Sequence, residues 1–199
     1  MPKMKTPREL FLHELGDILY AERVILKALP TLQKESGDKE LTQGLKRHER
    51  ETKQQVRNLE RAFKTLKEPV KAEHCPAIDG IKAEHDDFVK QEKPTPEILT
   101  AFLTGAGSRT EHYEIAAYTG LVTMARAMGE RDVAKLLGAN LKQEKQMLRE
   151  VEAIAKRLAQ ASAAPVAPAK AKPAARKKPA RKAPARRKPA ARKAAAKKR

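Results

Sequence analysis

The chain has 199 residues and a formal net charge of +18, and its basic excess is concentrated at one end. Residues 161–199 contain 15 Lys and Arg and no acidic residue, whereas residues 1–160 contain 28 basic and 25 acidic residues. The composition therefore predicts one nearly neutral domain, large enough for a single hydrophobic core, followed by a cationic tail with too little apolar surface to fold. Two large domains are excluded.

Apolar runs are short throughout the sequence. None approaches the ~20 residues that a membrane-spanning helix needs, and the N-terminus lacks the continuous apolar stretch of a secretion signal. Cys75 is the only cysteine, which excludes disulfides within the chain and a cysteine-based zinc site. We therefore expect a cytoplasmic protein in a reducing environment.

The first part of the chain predicts two long helices, because apolar residues recur at spacings of three and four and no alternating β-branched run competes. Residues 6–9, TPRE, have the pattern of a capping box and predict a first helix over residues 7–35, with a kink at Pro30. Gly37 is the expected stop, and Asp38 is the expected N-cap of a second helix that ends near residue 66. The two helices are expected to form an antiparallel hairpin.

Three further helices follow. Cys75-Pro76 opens a short connecting helix, Thr95-Pro96 opens a long one that stops near Gly129, and the apolar residues after it define a last helix that ends near residue 160. Four long helices joined as hairpin, crossover segment and hairpin match the ferritin-like topology. The predicted fold class is all-α: a ferritin-like four-helix bundle over residues 1–160 with an additional short helix in the crossover, plus a disordered basic tail over residues 161–199.

Charged side chains interrupt the apolar stripes of all four long helices. Glu22 lies between Ile18 and Ile25, at the centre of the first stripe. A carboxylate on a core-facing stripe loses hydration and needs a partner or a metal. Oxygen and imidazole ligands that converge in a bundle core suit a pair of iron ions, or manganese. The candidate metal ligands are Glu22, Glu51, Glu111, Glu114, Glu144, His48 and His112.

Each candidate ligand also has a plainer interpretation. The glutamates of the first and last helices could border a wide apolar face, where charged residues are common, and the other glutamates lie in charge-rich stretches. His48 and His112 could be half-exposed histidines that bind no metal. The coincidence of inward carboxylates on all four helices favours the metal site.

Five short motifs carry a resemblance to a known family. They are LGDILYAE at residues 15–22, HERET at 48–52, CPAIDG at 75–80, EHYEIAAY at 111–118 and LKQEK at 141–145. Together they resemble the YciE/YciF-type ferritin-like stress proteins, over about residues 5–160. The resemblance implies a ferritin-like bundle with an extra crossover segment, a homodimer or higher assembly, and a di-iron site.

A typical ferritin-like site has single glutamates on the first and third helices and a Glu-x-x-His pair on the second and fourth. Glu22 and Glu111 match the single positions, but Gln54 and Met147 stand where the paired histidines are expected.

His48, three residues before Glu51, and Glu114, one turn from Glu111, are the candidate substitutes for the missing ligands. A site with so few nitrogen ligands is expected to hold Fe(II) weakly. We therefore expect at most a weak ferroxidase or peroxide-consuming activity.

The tail resembles the C-terminal tails of linker histones. Clusters of two or three cations recur between prolines, so the tail can follow a polyanion, and it has no aromatic side chain for base stacking. This pattern predicts non-specific DNA binding. The candidate DNA-binding residues are Lys170, Lys172, Arg176, Lys177, Lys178, Arg181, Lys182, Arg186, Arg187, Lys188, Arg192, Lys193, Lys197, Lys198 and Arg199. The alternatives are a solubilising role and binding to RNA, polyphosphate or an anionic membrane surface.

Three functions are compatible with these features. The first is a DNA-associated, nucleoid-localised stress-protection protein whose bundle takes up or oxidises Fe(II). The second is a non-enzymatic nucleoid scaffold in which the bundle only oligomerises, so that several tails act together and raise avidity. The third is an unrelated helical interaction module. The first function is the one that the sequence favours.

Overall fold

The computed structural model describes residues 4–163, and within this range the chain is all-α, with no strand. The helices are α1 (Pro7–Glu35), α2 (Lys39–Thr65), α3 (Pro76–Glu92), α4 (Pro96–Ala127) and α5 (Arg131–Ala163). The predicted order of hairpin, crossover helix and hairpin is confirmed. The candidate DNA-binding residues, 170–199, lie outside the described range.

The predicted helix N-termini form through side-chain caps. Thr6 and Glu9 make the reciprocal capping box of α1: the Glu9 amide donates to Thr6 Oγ1 at 3.1 Å, and the Thr6 amide donates to Glu9 Oε2 at 2.8 Å. Asp38 Oδ1 accepts from the Leu41 amide at 2.9 Å at the start of α2. Each cap supplies an acceptor to an amide that the helix itself leaves without one.

The helix ends differ in part from the expectation. The chain leaves α1 through Ser36 in an extended conformation, and Gly37 serves to pack against α4, where its amide donates to Thr100 Oγ1 at 2.9 Å. Gly129 does adopt the left-handed conformation after α4, with φ of 78°. α1 continues as helix through Pro30, and α5 extends to Ala163, slightly beyond the predicted end.

The four long helices form a closed ring of neighbours. α1 packs against α2 and α4, α5 packs against the same two helices, and α3 lies against α1 and α4. Short connections at residues 36–38 and 128–130 make each hairpin antiparallel. Burial of large apolar side chains from all four helices stabilises the ring; fully buried examples are Phe11, Leu15, Ile18, Leu59, Leu121 and Leu137. In the described residues, no helix combines the length and apolar character needed to cross a membrane.

Candidate metal centre

Four predicted ligands from three helices meet near the middle of the bundle. His48 of α2, Glu111 and Glu114 of α4 and Glu144 of α5 each offer one ligand atom, and these atoms all lie within 4.8 Å of one another. All four residues are buried, and none is more than 2% exposed. We call these residues the central cluster. It could hold a metal ion.

Most polar atoms of the central cluster lack a hydrogen-bond partner in the described structure. The buried atoms without a partner include Glu111 Oε2, Glu144 Oε2, His48 Nδ1 and both carboxylate oxygens of Glu114. A buried polar atom without a partner costs about 1–3 kcal/mol, and an unpaired buried carboxylate costs more. A cation between these residues would give each of the four side chains a partner.

Burial strongly disfavours the charged forms of the carboxyls. It raises the pKa of Glu111 and Glu114 well above the ordinary value, and the charge of Glu144 raises both further. Burial also raises the pKa of Glu144, to about 7, although its contact with Glu111 opposes the rise. Without a cation, the cluster therefore holds protons at neutral pH.

His48 approaches Glu111 with the geometry of an ion pair, at 3.4 Å between Nε2 and Oε1. Burial, helped by the nearby charge of Arg47, lowers the pKa of His48 to about 4, while the pKa of Glu111 is raised. The His48 imidazole is therefore neutral near pH 7, and the contact is not a salt bridge in the metal-free protein. A neutral imidazole is the form that ligates metals.

Glu22 of α1 lies beside the central cluster and is fully buried. One carboxylate oxygen accepts a hydrogen bond from the Tyr118 hydroxyl, and the other has no partner. Asn140 Nδ2 donates to the same hydroxyl at 3.0 Å. Burial and the charge of Glu144 raise the pKa of Glu22 well above its ordinary value. Glu22 therefore has one oxygen that could extend the ligand set.

Gln55 orients the ligand from α5, because its Nε2 donates to Glu144 Oε1. The sequence prediction assigned no role to Gln55, Tyr118 or Asn140, although each follows or precedes a ligand by whole helical turns on an inward stripe. Residues that hold ligands in place in this way fix their orientation and tune their affinity.

Besides Glu22, two further predicted ligands, Glu51 and His112, lie outside the central cluster. Glu51 is half-buried, and its charge raises the pKa of both Glu111 and Glu144, which places its carboxylate near the cluster. His112 lies on the outer side of α4, where its side chain is 62% exposed and its Nε2 is 3.8 Å from Glu152 Oε1. One residue along a helix turns the side chain by about 100°, so Glu111 and His112 face different directions.

Gln54 and Met147, which stand where a typical ferritin-like site has histidines, lie in different surroundings. Gln54 is exposed and donates to Asn58 Oδ1 at 2.9 Å, whereas Met147 is buried in the core. His48 is the one histidine of the central cluster in the described part of the chain.

Comparisons with known proteins agree with this architecture. The family described as "Domain of unknown function (DUF892)" matches residues 6–164. The protein YciF of Escherichia coli K12 is 32% identical over 143 residues, which span 71% of this chain and 86% of that protein. The crystal structure of the E. coli stress protein YciF matches with a TM-score of 0.74 and 30% identity, covering 79% of this chain and 99% of that one. The structure of YcfI from Rhodopseudomonas palustris matches with a TM-score of 0.73 and 36% identity, covering 75% and 95%.

Proposed function

We propose that this chain, which belongs to the DUF892 family and has a bundle similar to that of the stress protein YciF, is a stress-protection protein whose central cluster holds iron or manganese. The observation that carries the proposal is the burial of Glu22, Glu114 and Glu144 without a basic partner. Among the described residues, no Lys or Arg forms an ion pair with any of the three. Structural carboxylates in a protein core are normally paired.

The donor set favours hard or borderline divalent ions. Three carboxylates and one imidazole suit Fe(II) or Mn(II) better than soft ions, which prefer sulfur. Glu22 and Glu51, which lie next to the cluster, are the residues through which a second ion could be held. When bound, iron would supply one-electron redox chemistry. The protein's own residues supply the dry surroundings and, through Tyr118 and Gln55, hold two of the carboxylates in fixed orientations.

Metal retention by the metal-free protein tests the proposal. Equilibrium dialysis against Mn(II), and anaerobically against Fe(II), is expected to load the parent protein. Glu114→Gln is expected to lower the affinity at least tenfold, because it removes a charged ligand without removing a hydrogen bond. Glu152→Gln, at an exposed carboxylate, is the matched control and should bind as the parent does. Equal metal content in all three proteins would reject the site.

Admission of air to the iron-loaded protein extends the same experiment. We propose a weak ferroxidase activity that stops after a few irons per chain, because His48 is the one nitrogen ligand of the central cluster among the described residues. The same shortage of nitrogen ligands favours the alternative function, a non-enzymatic nucleoid scaffold. Metal binding without oxidation would support that alternative.

We further propose that the basic residues of 170–199 bind DNA without sequence specificity and keep the bundle at the nucleoid. Support comes from their charge and spacing, with 15 cations and no acidic residue after residue 160. A homodimer or larger assembly would place several tails on one DNA molecule and raise the avidity.

A further inference from the structure

An apolar cavity of about 230 Å³ lies beside the central cluster. Its walls come from all five helices and are mainly aliphatic, with Ile25 and Leu29 of α1, Leu41 of α2 and Leu103 of α4 among them. Two members of the central cluster, His48 and Glu111, form part of the same wall. The cavity is therefore continuous with the polar centre of the bundle.

The size and lining of the cavity indicate an apolar occupant. Protein interiors normally have few voids larger than a water molecule. An engineered aliphatic cavity of about 150 Å³ stays dry and binds benzene, because water finds too few polar partners in it. The cavity beside the cluster is larger and comparably apolar over most of its wall, so a small organic molecule fits it better than water does.

The polar end of the cavity, formed by His48 and Glu111, determines which polar group the bound molecule can carry. His48 Nδ1 and Glu111 Oε2 are buried and have no partner among the described residues. The neighbouring cluster side chains are three carboxyls and one imidazole and offer no cation, so an anionic head buried there would lose its hydration without a charged partner. A hydroxyl can both donate and accept.

The rim of the cavity is already neutralised in part. Lys82 pairs with Asp86, and His85 Nε2 lies 2.8 Å from Glu35 Oε2. These contacts engage the two basic side chains that α3 contributes to the cavity, although Lys27 also lines it.

We propose that this cavity binds a small aliphatic molecule with one neutral hydroxyl-type head, the class that includes alkanols and alkyl hydroperoxides. The chain occupies the aliphatic part, and the head contacts His48 and Glu111. The proposal goes beyond metal binding and does not depend on it, because the contacts are available in the metal-free protein.

Calorimetric titration of the metal-free protein with 1-propanol, 1-butanol, 1-pentanol and 1-hexanol tests the site. Each added methylene should tighten binding roughly fourfold, as expected for a CH₂ group transferred from water to an apolar site. Hexanoate should bind more weakly than 1-hexanol. Absence of saturable binding would overturn the proposal, and tighter binding of hexanoate would overturn the neutral head.

Variants locate the binding. Ala106→Leu on α4 and Ala28→Leu on α1 each place a larger side chain on the wall and should weaken 1-hexanol binding at least tenfold. Ala101→Leu, on the exposed face of α4, should bind as the parent does. Thermal melting identifies a variant that fails to fold, in which case the other lining variant decides. Equal affinity of the folded lining variant and the control would place the ligand elsewhere, whatever the metal content.

Discussion

Glu114 lies fully buried at the middle of α4, and neither of its carboxylate oxygens accepts a hydrogen bond from the described residues. Such a side chain is tolerated in two states, protonated or bound to a cation, since an isolated buried charge is too costly. The same holds for Glu22, Glu111 and Glu144, whose pKa values burial also raises. Proton and metal therefore compete for one group of side chains.

The stability of the metal-free protein is expected to fall as the pH rises from about 4.5 through 7. Unfolded glutamates ionise near 4.5, whereas the folded carboxyls keep their protons to higher pH, so raising the pH favours the unfolded state. Glu144 alone, with a folded pKa of about 7, corresponds to a loss on the order of 3 kcal/mol above that pH. His48, whose pKa is lowered from 6.5 to about 4, acts in the opposite direction between those values, as one group against four.

Urea denaturation at pH 5 and pH 7.5 measures this slope. Glu114→Gln should make the slope shallower, because one carboxyl with a raised pKa is removed. Saturating Mn(II) should stabilise the parent most at the higher pH, where fewer protons compete with it. Identical pH profiles for the parent and Glu114→Gln would show that Glu114 ionises as freely in the folded state as in the unfolded one.

At the scale of helices, short sequence motifs correctly predicted the caps that begin α1 and α2. The caps at Thr6 and Asp38 depend on residues within one turn, and both form as predicted. Gly37 packs against Thr100, which is far from it in the sequence. Local sequence signals could therefore predict only that Gly37 ends α1, and not this contact.

The phase of α2 explains which of its polar residues reach the cluster. The buried residues of α2 on one stripe are Leu41, Leu45, His48, Thr52, Gln55 and Leu59, and Glu51 lies at its flank. The alternation of spacings of four and three along this stripe is a signal in the sequence that could have ranked His48 above Glu51. The distances between helices, which decide whether ligands from α2, α4 and α5 meet, have no such local signal.

Gly16 fixes the start of the crossover segment against α1. The Glu73 amide donates to the Gly16 carbonyl at 3.0 Å, and a Cβ at Gly16 would lie only 2.8 Å from the Lys71 carbonyl oxygen. Gly16→Ala is therefore expected to destabilise the fold by about 1–3 kcal/mol, as overpacking does. Gly120 on α4 has no atom within 4 Å of such a Cβ, so Gly120→Ala is expected to stabilise the helix by about 0.5–1 kcal/mol. Chemical denaturation measures the free energy of unfolding of both variants. Changes of the same sign would contradict the close packing assigned to Gly16.

The whole molecule combines a near-neutral bundle with a strongly basic segment. The proposed metal binding belongs to the bundle, and the proposed DNA binding belongs to the basic segment. The sequence predicted the fold class and the convergence of carboxylates because hydrophobic periodicity extends over every long helix. The sequence prediction did not separate His112 from His48, since each lies within three residues of a glutamate that was a candidate ligand and in a charge-rich stretch.

Deletion of residues 164–199 tests whether the basic segment alone binds DNA, because it removes none of the residues that the structure describes in the five helices. The shortened protein is expected to keep its helical content and melting temperature and to lose DNA binding at moderate salt. For the full chain, a plot of log affinity against log salt should fall with a slope of about −0.9 per phosphate neutralised on duplex DNA. Scrambling the DNA sequence is the control and should change the affinity little. DNA binding by the bundle alone at full strength would contradict the assignment to the basic segment.

Pulsed electron paramagnetic resonance of the Mn(II)-loaded protein tests the metal centre most directly, because it detects a nitrogen nucleus bound to the ion. The parent should show the modulation of one imidazole nitrogen, His48→Gln should lose it, and His112→Gln should keep it, since His48 lies in the buried cluster and His112 lies on the surface. Modulation that persists in His48→Gln, or that is lost in His112→Gln, would show that the bound ion is not in the central cluster.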